Sequence, residues 1–302
     1  MNLADLAEHL QDALEKGSEP EWSLASKGSW NACLNKLVDQ SPFPICALAV
    51  MKMKEKFSSP ASNSLLSDLI HHAAIFKPLI PFQPIAGRDV VVHKHPTSKK
   101  VLLVFCGNAF RVGIPLIVAH QWFGSLNITV IYLFDYSKRF YFHGLQSVGG
   151  SFEETIEYLK SLFESVGVSE VYCCGSSAGG YSAIRAALAL GAKGALVFSA
   201  PTNLTADFLI EHGINQEFLP LVMELPDHAR DLRLEWMQSA CHPSLSLYFG
   251  AENDKDRLHA ENLAGLDHVK LIAMKGQDAH NIVPPMVFSG QWGHAVRNLV
   301  TQ

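Results

Sequence analysis

The stretch VYCCGSSAGGYSAIRAALAL, from Val171 to Leu190, constrains the fold more than any other part of the chain. It reads as a short apolar strand, a turn of small residues and an Ala-rich helix, with no linker between strand and helix. A chain that leaves a strand and enters a helix in one tight turn brings its backbone close to neighbouring strands, so the flanks of the turn must be small. Gly175-Ser176-Ser177-Ala178-Gly179 has the form G-x-S-x-G, and Gly180 adds room. In a nucleophile elbow this pattern holds the central Ser in strained geometry at a strand end, above helix N–H groups that favour developing negative charge. Ser177 is the expected nucleophile, and Ser176 supports the turn. The same residues would suit a plain βα turn whose hydroxyls cap the helix; the strand before and the helix after favour the elbow.

The rest of the chain from Asp89 onward has the same alternation. KKVLLVFCG is a continuous apolar run ending in Gly, as in a strand buried on both faces. A helix is expected over VGIPLIVAHQWFG (112–124), then the strand ITVIYLFD, and then a helix opened by a capping box of Ser151 and Glu154. After the Ser177 helix come the strands GALVFSAP, SLSLYFG and VKLIAMKG and a closing helix near Pro285–Val300. Strands alternating with helices imply an α/β fold with a mainly parallel sheet covered on both faces.

Residues 1–85 have a different texture. Leu3, Leu6, Leu10 and Leu14 recur at helical spacing, followed by Trp30, Leu34, Leu37 and Val38, with Pro42, Pro44 and Pro60 as punctuation. A further helix is expected over Ser62–Phe76, then an extended connector, KPLIPFQPIAG. The expected organisation is a helical N-terminal extension on a main domain spanning 86–302.

A serine hydroxyl needs a base. In VKLIAMKGQDAHNIV, His280 follows an apolar strand on a loop, beyond the carboxyl end of a late strand, where ligands bind in open parallel sheets. With 14 histidines in the chain, His294 is a second candidate. The acid is open between Asp254 and Asp256 in SLSLYFGAENDKDRLHAENLA. Asp254 lies nearer the strand end; Asp256 can turn back toward the sheet from a long loop, or simply cap the next helix. The choice leans to Asp256. Asp278 is nearly adjacent to the histidine it would have to orient.

GSSAGG after a strand, an acid after SLYFGAEND and His280 after a strand together resemble the α/β-hydrolase superfamily, over roughly residues 89–302. The resemblance implies an α/β-hydrolase fold and a Ser-His-Asp triad that cleaves an ester or thioester through an acyl-enzyme. It implies one oxyanion donor at the amide of Ala178 and a second from the loop FCGNAFRVG, at Asn108 or Ala109, although that loop lacks the HGGG signature of many esterases. It also implies a cap over the site, for which the insertion at 202–241 is placed. Gly107 and Arg111 in the same loop are candidate substrate-binding residues, Arg111 through its anion-matching fork. Arg139, Tyr141 and His143, after another strand end, are candidates for a cleft wall or equally for a structural loop.

Two alternatives remain: an acyltransferase with the same triad, and a hydrolase-like binding protein without turnover. The fold implies no cofactor, and the six cysteines show neither metal-ligand nor disulfide spacing, consistent with free thiols in a reducing compartment. A formal net charge of −5 without a basic stripe argues against nucleic acid, and no apolar run is long enough to span a bilayer. The acidic amphipathic start lacks the basic, apolar layout of a secretion signal, so a cytoplasmic location is expected. The expected partner is a small-molecule ester or thioester, with homo-oligomerisation left open.

Overall fold

The computed structural model describes residues 2–57, 65–83, 87–214 and 216–301. Pro60, the expected helix start at Ser62, the domain boundary at 85/86 and Asn215 of the insertion lie outside the described residues. The N-terminal extension is α1 (Leu3–Glu15), α2 (Lys27–Gln40), α3 (Phe43–Lys56) and α4 (Leu65–Ala73). Asn2 and Ser26 cap α1 and α2 through their side chains. Leu6, Leu10 and Leu14 line the buried face of α1, whereas Leu3 is exposed.

There follow β1 (Val90–His93), β2 (Lys100–Phe105), α5 (Leu116–Phe123), β3 (Thr129–Leu133), α6 (Phe152–Val166), β4 (Glu170–Ser176), α7 (Ala178–Ala189) and β5 (Gly194–Phe198). The insertion carries α8 (Ala206–Glu211), α9 (Leu219–Val222) and α10 (Leu232–Gln238). The chain closes with β6 (Ser244–Gly250), α11 (Asp254–Glu261), β7 (Val269–Met274), α12 (Val283–Phe288) and α13 (Gln291–Thr301).

The seven strands form one sheet in the order β1-β3-β2-β4-β5-β6-β7. β1 is antiparallel to β3, and every other pair is parallel. β4 lies at the centre, with three strands on each side, so its carboxyl end opens between those of β2 and β5.

Strand parity sorts the core. Leu102 and Val104 of β2 face a cluster that includes α5, α12, α13 and the N-terminal helices. Val101, Leu103 and Phe105 face the opposite cluster, built with α6, α7 and the insertion. Each of these fully buried side chains contributes roughly 1.5–3 kcal/mol. The helices on both faces are thus fixed by strands such as β2 and β5, whose runs 101–105 and 195–198 are apolar and buried on both faces.

Several helix ends differ from expectation; α4 already ends at Ala73 rather than Phe76. α5 begins at Leu116, not Val112, because Pro115 holds an extended ψ at its N-cap. The closing helix is two helices, broken where Gly290 takes φ 77°. The Ser151 hydroxyl does accept from the N–H of Glu154, but Glu154 reaches back to the N–H of Gly150 rather than to that of Ser151. No disulfide joins the six cysteines. No described helix is long and apolar enough to cross a membrane.

Candidate active site

Ser177 stands between the last residue of β4 and the first of α7, with φ 52° and ψ −127°. A non-Gly residue in that region is strained, and such strain concentrates at functional sites. The flanking glycines explain how the turn closes. A Cβ on Gly175 would run into the carbonyl of Gly179, and one on Gly179 would run into the carbonyl of Phe105 on β2. The Ser177 amide is held by the carbonyl of Phe198 at 2.9 Å.

His280 reaches this hydroxyl from the loop after β7. Its Nε2 lies 3.0 Å from Ser177 Oγ, and its Nδ1 lies 2.7 Å from Asp256 Oδ1. The loop is pinned at both ends. The Glu252 carboxylate accepts from the amides of Gly276 and Gln277, and Asn281 Nδ2 donates to the carbonyl of Gly113. Those amide bonds, that of Gly276 first, hold the Glu252 carboxyl below its ordinary range.

The structure separates the two candidate acids. Asn253 caps α11 by accepting from the amide of Asp256. Asp254 and Asp256 are two residues apart in the helix and therefore face roughly 200° apart. Asp256 is buried, with 5% exposure, and points at His280. Asp254 points to solvent and pairs with Arg257 at 2.6 Å. Neither aspartate is the helix cap.

The hydrogen bond to Asp256 raises the His280 pKa above the ordinary histidine value. Partial burial of the ring opposes that rise, and the Asp256 charge adds to it. The neighbouring His259, one turn on from Asp256, is pushed the other way by burial, to about 4, and is neutral near pH 7. Its Nδ1 accepts from the amide of Thr202 at 3.3 Å.

Two cavities flank Ser177. One, of about 290 Å³, is lined by Ala178, Asn108, Phe140, Phe218 and His280 among others. The second, of about 340 Å³, is lined by Gly107, Asn108, Ala109, Arg111, Ser199 and His280 among others. The insertion therefore contributes Phe218, and with it Glu217, to the wall of the first. The Gly107 amide is spent on the Arg111 carbonyl, and the Phe110 amide on the Gly107 carbonyl. Among the described residues, the amides of Asn108 and Ala109 have no hydrogen-bond partner and border the site. The Ala178 amide is at the first position of α7, where no intrahelical acceptor exists.

The remaining sequence candidates lie elsewhere. His294 is exposed on α13, and Asp278 is exposed with only its carbonyl engaged, by Asn253. Arg139 pairs with Glu224 at 2.7 Å, and His143 lies 3.6 Å from the same carboxylate. Tyr141 is buried and donates to the carbonyls of Cys106 and Leu133. None of these lines either cavity at Ser177.

Sequence reasoning missed Asn253, which Asn before Asp-Lys-Asp at a strand end could have marked as an N-cap. It also missed Ser199, which has φ 46° at the end of β5 and lines both cavities; no sequence signal marks it. Among the described residues no group of three or more His, Cys, Asp or Glu side chains could hold a metal ion.

No protein-family model matches the chain, and no curated protein matches it. Among solved structures, Thermogutta terrifontis esterase 2 phosphoramylated by tabun superposes with a TM-score of 0.50 at 16% identity, over 70% of this chain and 88% of that one. The chain has the α/β-hydrolase fold. Two further neighbours are carboxyl esterase 2 of the mycorrhizal fungus Tuber melanosporum and XC6422 of Xanthomonas campestris, an α/β serine hydrolase without lid. The first has a TM-score of 0.47 at 15% identity, over 70% of this chain and 82% of that one. The second has a TM-score of 0.43 at 16% identity, over 69% and 88%.

Proposed function

We propose that this α/β-hydrolase-fold protein is a serine hydrolase that cleaves a carboxylic ester or thioester. The observation that carries the proposal is the continuous hydrogen-bonded line Ser177 Oγ, His280 Nε2, His280 Nδ1, Asp256 Oδ1, set at the carboxyl end of the central strand.

In the first half-reaction Ser177 Oγ attacks the carbonyl carbon while His280 Nε2 takes its proton. Asp256 keeps Nδ1 protonated and stabilises the imidazolium. The tetrahedral oxyanion is held by the amide of Ala178 and by one from Asn108 or Ala109; loss of one such donor typically costs about 3 kcal/mol of transition-state stabilisation. Collapse breaks the bond to the alcohol or thiol, which leaves with the proton from His280. In the second half, His280 deprotonates a water that attacks the acyl-enzyme, and the proton returns to Ser177 Oγ as the acid departs. Phe140 and Phe218 give the first cavity an apolar wall that limits water access to the acyl group.

A fluorophosphonate probe followed by peptide mapping tests the assignment. Labelling confined to Ser177, and lost in Ser177→Ala, is the expected result. Folded protein that resists the probe, or labels elsewhere, overturns it. A screen of p-nitrophenyl esters and thioesters of graded chain length then defines the acyl group.

A further inference from the structure

The two cavities beside Ser177 differ in charge. The second holds Arg111 as its only permanently charged side chain, and no carboxylate lines it. Among the described residues Arg111 forms no ion pair, and its half-buried side chain makes no hydrogen bond. Its backbone carbonyl, by contrast, is fixed by the Gly107 amide at 2.9 Å, so the side chain springs from an anchored position. The same wall carries Ser199, which is 4% exposed and whose buried hydroxyl has no hydrogen-bond partner. The Asn281 side-chain amide on the same wall is already committed to the Gly113 carbonyl. The wall thus presents a guanidinium fork with no protein carboxylate to match it, beside a buried hydroxyl without a partner.

Arg111 and Ala109 also border a third cavity, of about 590 Å³, between the oxyanion loop, α5 and the end of α2. Its one carboxylate, that of Asp39, is exposed and forms no ion pair with Arg111. Arg111 therefore stands where the cleft at Ser177 meets a larger space walled in part by the end of α2.

We propose that Arg111 is the anion-binding residue of this cleft, and that the substrate is an ester or thioester carrying an oxyanion group, a carboxylate or a phosphate, on the part that enters the second cavity. The inference rests on the serine hydrolase assignment. It adds the chemical class of the substrate, which neither the Ser177 line nor the fold specifies.

Matched esters test it. p-Nitrophenyl hydrogen glutarate against p-nitrophenyl methyl glutarate places the charge on the acyl side. 4-Acetoxybenzoate against its methyl ester places it on the leaving-group side, and 4-acetoxyphenyl phosphate replaces the carboxylate with a phosphate. In at least one arm the wild-type protein is expected to favour the charged ester by about tenfold or more in kcat/KM, chiefly through KM. Arg111→Gln is expected to bring that preference to within about twofold, with Arg111→Lys between. Equal rates for charged and neutral esters in all arms, or a preference that survives Arg111→Gln, overturns the proposal. If no ester is turned over and Ser177 resists the probe, the hydrolase assignment fails first. Calorimetric titration of the wild-type protein with glutarate and with dimethyl glutarate then decides for Arg111. Glutarate binding that is lost in Arg111→Gln upholds the anion site, and absence of glutarate binding refutes it.

Discussion

Asn253 ties the helix that carries Asp256 to the loop that carries His280: its Oδ1 accepts from the Asp256 amide at 3.0 Å, and its Nδ2 donates to the Asp278 carbonyl at 2.9 Å. Together with the Glu252 carboxylate on the Gly276 and Gln277 amides, this one amide side chain bridges two segments that must meet to within a hydrogen bond. Asn253→Ser keeps an oxygen suited to capping but loses the donor, whereas Asn253→Ala loses both. Urea denaturation is expected to show Asn253→Ala about 1 kcal/mol less stable and Asn253→Ser much closer to wild type. Both variants are expected to lose kcat, because the tie to the His280 loop is gone in each. A fall in kcat that tracks stability alone would contradict this.

Asp256→Asn and Asp254→Asn separate the two aspartates. The first is expected to reduce kcat/KM by about three to four orders of magnitude, through loss of the charge that orients and stabilises His280. The second removes an exposed ion pair with Arg257 and is expected to stay within about twofold of wild type. Steady-state kinetics on one p-nitrophenyl ester checks both.

The pH profile follows from the sign of the His280 shift. His280 must be neutral to accept the Ser177 proton, and its pKa is raised, first by the hydrogen bond to Asp256. Activity is therefore expected to fall with decreasing pH through a midpoint above the ordinary histidine value of about 6.5. Asp256→Asn is expected to move that midpoint to lower pH. A midpoint unchanged by the substitution would detach the two residues.

Gly179→Ala would put a Cβ against the Phe105 carbonyl, which is backbone of the central sheet and has little room to yield. Overpacking of this kind costs about 1–3 kcal/mol or more. Lower stability in urea, together with reduced fluorophosphonate labelling of Ser177, is the expected outcome.

Acid is expected to destabilise the fold early. His93, His120 and His259 are buried, and burial lowers each to about 4. The unfolded chain takes up these protons near the ordinary value of about 6.5 while the native state refuses them. Stability is thus fully present above that value, declines as pH falls toward about 4, and changes little further from this cause below it. The combined loss is on the order of several kcal/mol. Denaturation midpoints measured across this window test it, and His120→Gln is expected to flatten the slope.

The strand-turn-helix at Ser177 was legible because sterics leave few residues able to occupy it, and the strand parities were legible because both faces of the sheet are buried. His280 could be placed from one fact, its position just past a strand end. The choice between Asp254 and Asp256 was not legible to the same degree, since it depends on the residue at which α11 begins. With Asn253 as the N-cap, Asp256 turns inward and Asp254 outward; a cap one residue later would rotate both by roughly 100°. Tyr141 was open for a related reason: its position after β3 suits a cleft wall or a structural loop, and its hydroxyl is engaged by the carbonyls of Cys106 and Leu133, as a structural residue's would be. The open donors of the oxyanion loop could not be read from residue types, because they depend on which amides the local turn consumes.

Leu6, Leu10 and Trp30 of the first two helices belong to the same continuous apolar cluster as Leu102, Val104 and Tyr132 of the sheet. The helices α1–α4 are accordingly a roof built into the house and not a porch attached to it. A chain started at β1 would bare the sides of α5 and α12 against which α4 packs, so the 302-residue chain is expected to melt in one cooperative event, and shortening from the amino end is expected to yield insoluble material before it yields a smaller folded protein.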